Sequence, residues 1–69
     1  MEFKKGDLVM AVKLPRRINA FENGDIIQIT EKISDNHYNV KVVYKIDNKD
    51  YKGDTCWGLG AECRYFERM

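Results

Sequence analysis

From Tyr38 to Ile46 the chain alternates residue by residue: Tyr38, Val40, Val42, Tyr44 and Ile46 face one way, and Asn39, Lys41, Val43 and Lys45 the other. Successive side chains of a strand point to opposite faces, so a period of two describes a strand with one buried side. On a helix the same residues would scatter around the axis. The expected core face is Tyr38, Val40, Val42, Tyr44 and Ile46. A single strand cannot hide such a face, so the rest of the chain must supply partners for it.

Those partners are legible as further short extended segments. Asp7 to Leu14 places Leu8, Met10, Val12 and Leu14 on one face and Val9, Ala11 and Lys13 on the other, and Pro15 stops it. Pro15 to Asn23 is a connection in which Ile18 and Phe21, three apart, would pin a single turn. Gly24-Asp25 re-opens extended chain. Ile26 to Ile33 sets Ile27, Ile29 and Ile33 on one face and Ile26, Gln28, Thr30 and Lys32 on the other, a composition that favours strand. Ser34-Asp35-Asn36 is the turn into the alternating strand, with His37 read as a turn residue. Asp47 to Asp50 has hairpin-loop composition. Tyr51 with Thr55-Cys56-Trp57 would return, interrupted at Gly53-Asp54 and ended by Gly58 and Gly60. Residues 61–67 are either a closing strand or one helical turn, with Cys63, Phe66 and Tyr65 facing inward.

No segment carries a helical apolar stripe, and 69 residues leave room for one domain, residues 1–69, with one small core. A chain this short buries only about 60% of the surface its unfolded form exposes. An open sheet of this size would leave two long edges and an uncovered face. The expected fold is therefore all-β, a small five-stranded antiparallel barrel.

In order and spacing the segments resemble the SH3-like small barrels, the superfold that includes KOW and Tudor modules and many phage and bacterial accessory domains. Phe3-Lys4-Lys5-Gly6-Asp7-Leu8-Val9 is similar to the opening of such barrels, and Gly24-Asp25-Ile26-Ile27-Gln28-Ile29 to their second strand. Tyr38-Asn39-Val40-Lys41-Val42 resembles the third strand, and Glu62-Cys63-Arg64-Tyr65-Phe66 the closing turn and strand. The acidic and aromatic run with which SH3 domains bind proline-rich peptides has no counterpart between Pro15 and Asn23, so that activity is not implied. The KOW likeness implies contact with RNA or with RNA-bound proteins.

Net charge is +1, too small for a general polyanion coat, but it is unevenly spread. Residues 1–17 carry +3, 18–36 carry −3, 37–53 carry +2 and 54–69 carry −1. If the first and third strands were neighbours, Lys4, Lys5, Lys13, Arg16 and Arg17 would lie near Lys41 and Lys45 and form a phosphate-binding face. Among the aromatics Trp57 is distinct: between Cys56 and Gly58 the thin backbone leaves one side of its ring open, whereas Tyr38 and Tyr44 are expected in the core.

Catalysis finds little support. There is one histidine, no HExxH, no phosphate-binding glycine motif and no spacing that favours a Ser-His-Asp arrangement. Cys56 and Cys63 with His37 cannot supply four zinc ligands from one chain, and no cofactor is expected. The chain reads as cytoplasmic, without a signal peptide or a spanning run, so the two cysteines are expected as free, mostly buried thiols.

Two functions from different classes follow. One is a non-enzymatic module that docks on a larger protein through a sheet edge, the Pro15–Asn23 loop and the Trp57 region, with Trp57, Arg16, Arg17 and Phe21 as contacts, in the manner of a phage-type accessory or inhibitory factor. The other is a nucleic-acid-binding barrel using Lys4, Lys5, Lys13, Arg16, Arg17, Lys41 and Lys45. The small net charge favours the first, with no membrane and no small-molecule substrate expected.

Overall fold

Among the described residues, five antiparallel strands form one sheet in the order β4-β3-β2-β1-β5: β1 Leu8–Ala11, β2 Ile26–Ser34, β3 His37–Tyr44, β4 Cys56–Leu59 and β5 Phe66–Arg68. The structure is a computed structural model and describes residues 3–16, 21–48, 50, 51, 53 and 55–69. The all-β expectation holds. The tail combines both alternatives read for it, a 3-10 segment at Ala61–Tyr65 that delivers the chain into β5.

The closed barrel that was expected does not form. Neither β4 nor β5, the two ends of the order, pairs with the other, so the sheet is not closed by hydrogen bonds. Trp57 of β4 and Phe66 of β5 both meet the ring of Phe21, at centroid distances of 6.2 and 5.6 Å.

The core holds Phe3, Val9, Ala11, Leu14, Phe21, Ile27, Ile29, Tyr38, Val40, Val42, Leu59, Cys63 and Phe66. Burying each Val, Ile or Phe side chain is worth about 1.5–3 kcal/mol, and this cluster is the main source of stability in so short a chain. Tyr38 is fully buried with its hydroxyl satisfied, accepting from the Phe3 amide at 3.2 Å and donating to the Asp35 carbonyl at 3.4 Å. In β1 the buried face is Val9 and Ala11, while Leu8 and Val12 are exposed. Val9 pairs with Ile27, whose face is the core face of β2, and that register decides the side.

Three bulges in the β2–β3 ladder correct the expected core. Ile27 pairs with Val42 but Ile26 with Tyr44, so β3 carries an extra residue there and its parity breaks. Tyr44 is consequently only half-buried, and Ile46, beyond the strand end, is exposed. On β2, Ile29 pairs with Val40 and Glu31 with Asn39, which makes Thr30 extra and puts Lys32 opposite Tyr38. Ile33 is itself the extra residue between Lys32 and Ser34 and is 49% exposed, not a core residue. A strand face read at a strict period of two changes side at each such insertion.

The fourth strand also lies later than read. It runs from Cys56 through Gly58 to Leu59, so Gly58 is inside the strand rather than at its end. Asp35-Asn36 forms the turn into β3, and a bridge between Lys45 and Asn48 closes the loop that follows it.

Candidate functional site

Where β1 leads toward β2, the chain is anchored by one carboxylate. Asp25 is fully buried and accepts from the Lys45 ammonium at 2.7 Å, the Ile46 amide at 2.8 Å and the Glu22 amide at 3.0 Å. In the sequence, Gly24-Asp25 marks only the point where extended chain re-opens. Gly24 beside it has φ +102° and donates to the Ala11 carbonyl at 2.7 Å, and a Cβ there would stand 3.1 Å from Ile46. Only glycine fits that approach without strain.

Lys45, held by Asp25, also stands over the Phe21 ring, 5.9 Å from its centroid. Phe21 was expected to touch a partner, but at 1% exposure it is a core residue, with Trp57 and Phe66 edge-on to its ring. Its part in the site is to support Trp57 from beneath. Trp57 sits opposite Val40 and so points to the core side of β4, yet it is 42% exposed, because it lies at the unclosed end of the sheet.

The backbone at Trp57 is an open edge. The Val42 amide donates to the Thr55 carbonyl at 2.9 Å, which makes Val42–Thr55 a hydrogen-bonded pair. Alternation along an antiparallel ladder then makes Val40–Trp57 and Tyr38–Leu59 bonded pairs and turns the Cys56 and Gly58 amides and carbonyls outward. Cys56 and Gly58 are exposed, and for a glycine that exposure is exposure of backbone. Among the described residues nothing pairs with these groups. The edge ends at Gly60, whose amide donates to the Glu62 carboxylate at 3.1 Å.

The basic face does not assemble as expected. β2 lies between β1 and β3, so the first and third strands are not neighbours. Lys4 and Lys5 precede β1 while Lys13 and Arg16 follow it, beyond opposite ends of the strand. Lys13 is ion-paired with Glu67 at 3.3 Å and Lys45 with Asp25 at 2.7 Å. Arg17 lies outside the described residues, as does Ile18. Lys41, on the outer face of β3 opposite both Gln28 and Cys56, has no carboxylate at ion-pair distance among the described residues.

Of the other aromatics, Tyr38 and Phe66 are core, and Tyr51 and Tyr65 pack against it. Arg64 lies over the Tyr65 ring at 5.0 Å and donates to its hydroxyl. Both cysteines are free thiols, but Cys56 is exposed where a mostly buried pair was expected. Cys63 is buried, and that burial, followed by the charge of Glu62, pushes its thiol pKa up. Among the described residues no three metal-ligating side chains come together, and no helix is long and apolar enough to cross a membrane. Comparison with protein-family models, with characterised proteins and with solved structures finds no match.

Proposed function

We propose that this chain is a small non-enzymatic binding module that docks on a larger protein through the surface centred on Trp57. The observation that carries the reading is Trp57 itself: a large apolar ring on the core side of an end strand, backed by Phe21 and 42% exposed. Tryptophan is among the residues enriched at interface hot spots, where truncation costs about 2 kcal/mol or more in binding. The separation of the basic residues and the ion pairs of Lys13 and Lys45 favour a protein over a nucleic acid as the target. An SH3-like frame is part of the same proposal, supported by the five-stranded order and by the meeting of its two ends over Phe21.

The exposed Cys56 thiol beside Trp57 offers a direct test. A photo-crosslinking maleimide on Cys56 should trap a protein adduct in a lysate of the source cells. That adduct should survive nuclease, tolerate added salt and fall about tenfold or more with Trp57→Ala. Nuclease-sensitive adducts unaffected by Trp57→Ala, with log affinity falling steeply against log salt, would establish the nucleic-acid reading instead.

A further inference from the structure

Resting on that reading, we infer that the partner is bound as an added strand: an extended segment pairs with the free edge of β4, its backbone on Cys56 and Gly58. The outward amides and carbonyls of these two residues are the groups such a segment would use, and they flank Trp57 on either side. An extended chain laid on this edge exchanges backbone hydrogen bonds with Cys56 and with Gly58. The residue between those two contacts then has its side chain on the core side, against the open part of the Trp57 ring. Main-chain bonds supply affinity in this mode and alternate side chains supply specificity.

The surroundings specify the segment. The residue facing Cys56 shares the outer face with Lys41, which stands opposite Cys56 on β3 and has no carboxylate partner among the described residues. Across so small a side chain as cysteine, an acidic side chain reaches the Lys41 ammonium. The residue facing Gly58 meets no side chain there, and His37 Nε2 lies only 3.7 Å from the place a Cβ would take, so a bulky residue fills that gap beside the imidazole. The occupant is thus an extended segment with an acidic residue at Cys56, a large apolar one at Trp57 and a bulky one at Gly58. A second copy fits less well: β4 paired to itself about Trp57 would set Gly58 opposite Cys56 and bring Lys41 no anion.

The test pans a random peptide display library on the immobilised full chain and measures amide exchange with the best synthetic peptide. Free protein should show slow exchange at Trp57 and Leu59 and fast exchange at Cys56 and Gly58. Selected peptides should share the acidic-apolar pair, slow exchange at Cys56 and Gly58 about tenfold or more, and bind about tenfold more weakly to Trp57→Ala. Lys41→Gln should erase the preference for the acidic residue, with native spectra confirming that both variants fold. Peptides that require Trp57 but leave Cys56 and Gly58 exchange unchanged would overturn strand addition and leave docking at Trp57 standing. If no Trp57-dependent peptide emerges, both are overturned. Protection of the same amides by protein concentration alone, with a dimer in sedimentation, would assign the edge to a second copy and reject the inference.

Discussion

The Lys45 ammonium donates to Oδ2 of Asp25 at 2.7 Å, joining a fully buried carboxylate to a side chain only 14% exposed. Twenty residues apart in sequence, the two tie the entry to β2 to the loop beyond β3. The same carboxylate takes the amides of Glu22 and Ile46, and the same ammonium stands over Phe21. The ring beneath Trp57 therefore lies under a cation that a buried carboxylate holds in place.

Removing the carboxylate should be severe. Asp25→Ala strips three donors of their acceptor, one of them a poorly solvated cation. Breaking a buried pair from one side costs about 3–5 kcal/mol, comparable with the whole stability of a domain this small. Urea denaturation should show Asp25→Ala largely unfolded without denaturant; a midpoint close to the parent's would show that these bonds carry little.

The bulges make a paired prediction on neighbouring strands. Val42 is 2% exposed and Ile33 is 49% exposed, although strict alternation assigns both to core faces. Val42→Asp should unfold the chain by burying an unpaired charge, whereas Ile33→Asp should stay within about 0.5 kcal/mol of the parent. Thermal melts of the two variants decide it, and equal damage from both would mean the β2 register is wrong.

The two thiols should react on different terms. Cys56 is exposed, while Cys63 is buried with its pKa raised by that burial, so it holds less thiolate as well as being less accessible. Iodoacetamide on native protein should add a single label at Cys56, with Cys63 modified only in denaturant. Mass spectrometry of the digested protein reads the outcome; rapid labelling of Cys63 under native conditions would contradict its placement in the core.

Acid should act through Asp7. The Lys4 amide, and after it the Arg68 guanidinium, hold this carboxyl below its ordinary value. A folded pKa below the unfolded one means stability that is present above about pH 4 and is lost as pH falls through the folded value. The melting temperature of Asp7→Asn should lie below the parent's at neutral pH, and the gap should close in acid and shrink in high salt. A gap that persists unchanged as the pH is lowered through the acid range would show that charge is not the cause.

Local pattern alone settled the class of structure and most of the core. The alternation at Tyr38, Val40 and Val42 and the isoleucines at 27 and 29 are visible because a strand's two faces follow directly from residue parity, whereas Cys63 and Phe66, three apart, share a face because the 3-10 segment repeats every three residues. The exposure of Trp57 comes from its place on an end strand rather than from the thin residues on either side of it. What tertiary structure decided is everything that depends on which strands meet. Bulges at Val43, Thr30 and Ile33 arise in the β2–β3 ladder, between two chains of residues, and so leave no trace in either segment's own pattern. The strand order separated Lys4, Lys5, Lys13 and Arg16 from Lys41, since β2 intervenes. Asp25 became the anchor of the site only because Lys45 and the Ile46 amide arrive from across the fold, and a carboxylate's role is set by the donors around it. The free edge at Cys56 and Gly58 is likewise a property of position: the same four residues placed mid-sheet would have no groups to offer.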